Sequence, residues 1–314
     1  MKLSHGDRCS GPPLDVICHK FQAIERRFTQ LKSTYETKII KTPQYTIQLY
    51  IDYFNQRLRV DDYRGNVNLI LPELNKVMEG QKFTKLIYFS RFEHWQELLS
   101  KGFMLEGIIY GYFNGSDNYM MTLYKEDARR TSQSWLQEDA IIQAIQEKGK
   151  KVDEPKLPPQ YSIRKAITGD ASKLAELYRD VFPIYPTPMN NPDYVTNMMR
   201  GGTIFYVVEY NTQLVSAASA EVNASLHNAE ITDCATLPEH RKYGLLKKLL
   251  IQLENELKDE GIYCAFSLAR ALSYGMNAAL YQLDYQYNGR LTNNCYIFDK
   301  IEDMNVWVKN LSSK

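Results

Sequence analysis

Pro238, Arg241 and Gly244, spaced Pro-x-x-Arg-x-x-Gly between a β-like run ending at Thr236 and an apolar-periodic helix beginning at Leu245, have the chemistry of an anion cradle. The first N–H groups of a helix have no intrahelical partner and the helix dipole adds partial positive charge, so a diphosphate fits there. Arg241 contributes a permanent cation, Gly244 lets the backbone approach a phosphate with no side chain in the way, and Pro238 stiffens the exit from the strand. The candidate binding segment is therefore Ala235, Thr236, Leu237, Arg241, Lys242, Tyr243, Gly244, Leu245 and Leu246, with Ser273 added at the start of a later helix. Two acidic side chains, Glu230 and Asp233, precede this turn on the same run; three positions apart on a strand, they point to opposite faces unless a bulge intervenes.

The elements that must hold these residues are legible from periodicity. After a linker at 149–159, rich in charge, Gly and Pro, residues 161–167 alternate as a strand, and Asp170 caps a helix running to about 180. The proline-rich loop 182–188 cannot be helical, and a short helix follows over 193–200. Residues 203–210, 214–222 and 230–236 read as successive strands, the helix 245–260 stops at Gly261, 262–268 is a buried strand, 273–283 a helix, and 285–288 with 295–298 close the sheet. The preceding region, 44–148, alternates short β-rich segments with helical ones and ends in a polar helix over 126–148, while 1–43 reads as an N-terminal extension with a helical run at 21–32. The fold class is α/β (α+β).

Composition narrows the function. Lys and Arg total 38 against 37 Asp and Glu, a formal net charge of +1, so no global field favours nucleic acid or an anionic membrane; a small molecule is the natural partner, which leaves room for a homodimer. Five cysteines, scattered at Cys9, Cys18, Cys234, Cys264 and Cys295, form neither a disulfide framework nor a zinc pattern, and the spacing of Cys9, Cys18 and His19 matches no common ligand set, so no metal is expected. No apolar run approaches the length of a membrane span and no signal-peptide core is present, which points to a cytoplasmic location.

The Pro-x-x-Arg-x-x-Gly turn, set between a strand and an amphipathic helix, resembles the acyl-CoA-binding motif of the GCN5-related N-acetyltransferases, and the element order β-α-α-β-β-β-α-β-α-β-β over 160–314 is that of their fold. The sequence departs from the family's richest form at Lys242 and Leu246, where further glycines often occur. The resemblance implies acetyl-CoA as co-substrate and two neighbouring strands that splay where the acyl chain enters. Residues 98–107 can be laid on 280–289, matching a helix end, an aromatic strand start and a glycine, so the first region reads as a smaller, degenerate GNAT-like domain that lacks the CoA motif and has a structural or substrate-shaping role. Residues 269–277, 289–294, 304–307, 230–233 and 106–113 are similar to beta-lysine N-acetyltransferases, which implies acetyl transfer to the terminal amine of 3,6-diaminohexanoate. A different amine acceptor, such as a polyamine or protein lysine, and a non-catalytic CoA-binding sensor remain the rival readings.

An alkylamine with a pKa of about 10.4 must shed a proton before attack, at a cost of about 4.6 kcal/mol at pH 7, so a carboxylate is needed nearby. Asp233 is favoured over Glu230 because it is nearer the CoA turn. Backbone N–H groups around Ala235 to Leu237 supply an oxyanion site. Many family members use a tyrosine on the helix after the fifth strand to protonate the thiolate; that position is Leu280 here, with Tyr281 beside it about 100° around the helix. Arg270, at the end of the fifth strand, is placed to grip a substrate carboxylate, with Tyr274 and Asn277 near it.

Overall fold

The computed structural model describes residues 34–150, 156–298 and 300–312. The helical run at 21–32, together with Cys9, Cys18 and His19, lies outside the described residues, as does part of the linker. The first half comprises β1 (Tyr35–Lys41), β2 (Tyr45–Asp52), β3 (Arg57–Gly65), α1 (Val67–Gln81), β4 (Lys85–Ser90), α2 (Trp95–Ser100), β5 (Met104–Phe113) and β6 (Ser116–Tyr124). Strand β1 thus occupies part of the stretch read as an extension. The polar helix after it is two, α3 (Asp127–Arg130) and α4 (Trp135–Lys148). The second half comprises β7 (Tyr161–Lys165), α5 (Ala171–Val181), α6 (Pro192–Arg200), β8 (Ile204–Tyr210), β9 (Gln213–Asn223), β10 (Asn228–Thr236), α7 (Leu245–Asp259), β11 (Cys264–Arg270), α8 (Tyr274–Gln282), β12 (Gln286–Ile297) and β13 (Lys300–Asn310).

Local sequence explains the helices closest to the site. Helix α7 buries Leu245, Leu249, Leu250, Leu253 and Leu257, a stripe at helical spacing, and Gly261, with φ of 73°, ends it while the Ile262 N–H bonds to the Leu257 carbonyl at 2.8 Å. In α1 the buried stripe is Val67, Ile70, Leu74 and Met78. At the C-terminus the segments 285–288 and 295–298, read as two closing strands, are one strand, β12. The strand that completes the sheet is β13, which inserts between β12 and β11. The polar run from Thr292 to Asn294 hid this continuity, because the pairing of β12 with β13 shifts register between Leu291 and Cys295 there and the alternation is lost.

Among the described residues thirteen strands join in one sheet, in the order β1-β2-β3-β4-β6-β5-β12-β13-β11-β10-β9-β8-β7. Apart from β7, this order is symmetric about its centre: β1-β2-β3-β4-β6-β5 in the first half is matched by β8-β9-β10-β11-β13-β12 in the second. The halves meet where Gly107 of β5 pairs with Gly289 of β12. These are the two glycines that the laid-on segments equate. Crowding requires them: a Cβ on Gly289 would lie 2.1 Å from the Glu106 carbonyl oxygen, and one on Gly107 would lie 2.9 Å from the Cγ2 of the Val306 side chain. The helix ends before them also match, the Phe103 N–H bonding to the Leu98 carbonyl (3.1 Å) as the Tyr285 N–H does to the Leu280 carbonyl (3.1 Å).

A buried polar network locks the junction. The Glu106 carboxylate accepts hydrogen bonds from Thr122 Oγ1 (2.7 Å), the Thr292 N–H (2.9 Å) and the Tyr124 hydroxyl, and pairs with Lys85 Nζ at 3.2 Å. Burial pushes the Lys85 ammonium down to about 8, while Glu106 works the other way. Strand β5 is bulged, and its far end reaches β10, where Asn228 Nδ2 donates to the Tyr112 carbonyl at 2.7 Å. The two arms of the sheet therefore fold toward each other around an apolar cluster that includes Phe89, Tyr112, Phe266 and Val306.

Candidate active site

Strands β10 and β11 run parallel but pair only from Asn228 to Glu230, opposite Cys264 to Phe266; beyond that they part. A cavity of about 1000 Å³ fills the gap, floored by Thr232, Asp233, Cys234 and Thr236 on one side and Ser267 to Arg270 on the other. Helix α8 and, from the first half, Ile145 and Lys148 of α4 complete its walls.

The mouth of the cavity is formed by Arg241, Lys242, Gly244, Leu245, Leu246 and Lys247. Gly244 stands at the N-cap of α7 in the left-handed region (φ 69°) and no side chain caps the helix, which leaves first-turn N–H groups facing the mouth. Lys242 also adopts a left-handed conformation (φ 77°), the geometry that glycine usually supplies in such turns. Arg241 is tethered through Nε to the Thr236 carbonyl (3.2 Å). An uncapped helix start with Lys148, Arg241, Lys242 and Lys247 around it has the donor set that a diphosphate requires.

Backbone donors in the gap are more restricted than the sequence implied. The Leu237 N–H bonds to the Val215 carbonyl (2.9 Å), and the Ala235 carbonyl accepts from Ser216 Oγ (2.9 Å), so both residues direct their peptide groups toward β9. Alternation along the strand then leaves Thr236 facing the gap. The side chains of Ala235 and Leu237 are buried in the core, and Tyr243, exposed, leans on Tyr161 rather than on the cavity.

The two carboxylates differ in kind. A bulge does intervene: Thr232 pairs with Ser219 and Ala235 with Ala217, and Asp233 in between takes φ of 49°. Asp233 is buried, its Oδ2 accepts from Ser219 Oγ (2.7 Å), its Oδ1 from the Tyr185 hydroxyl (3.0 Å), and its carbonyl from the Tyr178 hydroxyl (2.6 Å). These bonds hold the bulge in place. Burial raises its pKa while the Ser219 and Tyr185 bonds oppose the rise.

Glu230 is half-buried and accepts no hydrogen bond from any described residue. It lies directly opposite Glu221 in the β9–β10 ladder. Two carboxylates in such a pair repel, an arrangement that a bound cation would relieve. Burial pushes Glu230 up to about 7, with Asp233 and Asp61 adding to the rise and Arg59 and Arg57 opposing it. Glu221, solvent-accessible yet walled in by protein, is pushed up to about 8 by desolvation and by Glu230 and Asp233. Tyr194 of α6 lies within electrostatic reach of Glu221 and Asp233, and of Tyr35 and Tyr50 from the first half.

Three residues expected to bind substrate or move protons are otherwise engaged. The Arg270 guanidinium, on the cavity wall, makes a two-point ion pair with buried Glu302 (2.8 and 2.7 Å) and lies 4.5 Å over the Phe298 ring. Asn277 is fully buried; it donates to the Arg270 and Ser273 carbonyls and accepts from Asn305 and the Trp307 indole, a structural knot beneath the cavity. Tyr281 lies off the cavity, its ring 5.4 Å from Lys150 Nζ, whereas Tyr274 and Ser273 border it. Burial pushes the Cys234 thiol up, which keeps it protonated. Sequence reasoning missed Arg59, Glu221, Tyr178, Tyr185, Tyr194 and Ser219. All lie outside the motif, Ser219 and Glu221 on the neighbouring β9 and the others farther off, and no spacing in the sequence ties any of them to it.

Among the described residues no group of three or more His, Cys, Asp or Glu side chains could hold a metal ion, and no helix is long and apolar enough to cross a membrane.

A parallel strand pair that parts over a cavity, with a cation-rich helix start at its mouth and a carboxylate beside it, defines an acyl-CoA-dependent N-acetyltransferase architecture. Residues 171–285 match the acetyltransferase (GNAT) family model. The chain is 41% identical to the N-acetyltransferase YodP of Bacillus subtilis, over 87% of this chain and 99% of that one. It is 35% identical to a beta-lysine N(6)-acetyltransferase of Methanosarcina mazei, over 80% of this chain and all of that one, and 30% identical to one of Methanococcus maripaludis, over 87% and 98%. The chain belongs to the GNAT acetyltransferase family: it is an N-acetyltransferase that uses acetyl-CoA as co-substrate and an amine as acceptor.

Proposed function

We propose that the acceptor is the terminal amine of beta-lysine, 3,6-diaminohexanoate, and that the product is an N-acetylated zwitterion made in the cytoplasm. The observation that carries this reading is the pair of full-length relatives named for that activity. The facing Glu221 and Glu230 carboxylates support it, because beta-lysine brings two ammonium groups to a place where negative charge is crowded. The same crowding favours a polyamine as the second reading.

In the proposed reaction the diphosphate of acetyl-CoA sits at the start of α7, and the acyl arm lies between β10 and β11 with the Thr236 N–H toward its carbonyl. Glu230 takes the proton from the acceptor ammonium, directly or through water. The freed amine forms the C–N bond as the C–S bond breaks; the electron pair leaves with sulfur, and the proton that the nitrogen then sheds passes to the thiolate, directly or through solvent. Glu230 suits this task better than Asp233: its oxygens are free of hydrogen bonds from described residues, and a pKa of about 7 matches the working pH. Direct attack needs no acyl-enzyme, consistent with the protonated Cys234.

The test is to incubate the protein with acetyl-CoA and, separately, beta-lysine, lysine, spermidine and a histone peptide, measuring free thiol. The expected result is the highest kcat/KM with beta-lysine; faster release with another acceptor, or with none, overturns the assignment.

A further inference from the structure

The symmetry of the sheet places Arg59 and Glu230 at equivalent positions. Arg57 opens the parallel register with Lys85 as Asn228 opens that with Cys264, so the third pair is Arg59 opposite Ile87 in one half and Glu230 opposite Phe266 in the other. The curl of the sheet brings these positions within electrostatic reach of each other, with Tyr112 wedged between Phe89 (5.3 Å) and Phe266 (5.6 Å). The Arg59 guanidinium is packed against aromatic faces, 4.8 Å from the Tyr50 centroid and 5.3 Å from that of Phe89. Asp61, the extra residue of the β2–β3 bulge, holds its Nε and reaches one Nη at 3.4 Å. No other described residue accepts from the remaining N–H groups.

We propose that Arg59 is a specificity-determining residue supplied by the first half: its free N–H edge binds the acceptor's carboxylate, Glu221 takes the neighbouring 3-ammonium, and Glu230 is left for the reacting 6-amine. This rests on the beta-lysine reading above. A guanidinium clamped by Asp61 and flanked by rings has little rotamer freedom left to lose, which favours a two-point carboxylate contact. It also gives the site a means to reject polyamines, which carry no carboxylate and would leave the cation facing further positive charge.

The experiment compares beta-lysine with 1,4-diaminopentane, the same diamine without its carboxylate, in the wild type, Arg59→Gln and Arg59→Lys, with thermal melting as the folding control. Arg59→Gln is expected to raise KM for beta-lysine roughly tenfold or more, the scale of a charge-assisted contact, leave KM for acetyl-CoA unchanged, and erase the preference over 1,4-diaminopentane. Arg59→Lys, which keeps the charge and loses the fork, should retain part of that preference; if the glutamine variant does not fold, an undiminished preference in Arg59→Lys overturns the proposal. Equal losses for both acceptors, or an unchanged preference, mean that Arg59 is only a structural ion pair. A wild type that ignores beta-lysine removes the acceptor reading and this proposal with it, whereas a wild type that prefers beta-lysine while Arg59→Gln does too removes this proposal alone.

Discussion

The two halves of the sheet repeat one strand–helix order and treat the same gap in opposite ways. In the first half, β3 ends at Gly65 and α1 starts at Val67, with Asn66 between them as an N-cap whose side chain accepts from the Asn68 N–H at 3.0 Å. In the second, an eight-residue turn over 237–244 separates β10 from α7, and its cap is Gly244, with no side-chain bond. The interior differs likewise. Counting from the start of each parallel register, Tyr88 of β4 corresponds to Ser267 of β11; Tyr88 is wholly buried, its ring 4.8 Å from that of Tyr63, while Ser267 borders the cavity. We infer that an aromatic plug and a self-capped helix make the first half a scaffold, and that a small side chain and an open helix start make the second a binding site, so that a few residues on a shared architecture set the capacity to bind acetyl-CoA.

Substitutions that exchange these solutions test the comparison. Ser267→Tyr, which gives the second half the plug of the first, should abolish the heat of acetyl-CoA binding in calorimetry while leaving a cooperative melt; retained binding would mean that the cavity is not the CoA site. Glu230→Gln should keep that heat of binding and lower kcat/KM by roughly 10²–10⁴, the usual worth of a general base. The proposed base, Glu230, would work as a carboxylate and is pushed up to about 7, so wild-type activity should rise as pH increases through that value, and the variant should lose this limb. A surviving limb would assign the base to another group. Arg241→Ala should raise KM for acetyl-CoA roughly tenfold with the acceptor KM unchanged, as removal of one charged contact does. The smallest effect belongs to the silent half: Asn66→Ala should cost about 1 kcal/mol in denaturant unfolding, the value of an N-cap, and leave both Michaelis constants alone. A change in acetyl-CoA KM there would argue against two independent roles for the equivalent turns.

Much of the second half could be read directly. Helix α7 with its glycine stop, the Pro-x-x-Arg-x-x-Gly turn and the succession of elements along the chain follow from spacing, because capping, turn chemistry and amphipathic periodicity act over a few residues. Strand β13 was missed because a register shift in β12 breaks the alternation that marks a strand. Arg270, Asn277 and Tyr281 were plausible by proximity to the motif, yet Glu302, Trp307 and Lys150, distant along the chain, engage them.

What the sequence determined alone is the set of local devices: an uncapped helix start beside an arginine, a run of strands in GNAT order, and two glycines equated between the halves. The tertiary structure decided which charges remain available. It paired Arg270 with Glu302, fixed Asp233 between Ser219 and Tyr185, and folded the first half's Arg59 toward Glu230. Hydrogen-bond partners and burial control whether a charged side chain can act on a ligand, and both depend on contacts between segments that lie far apart in the chain.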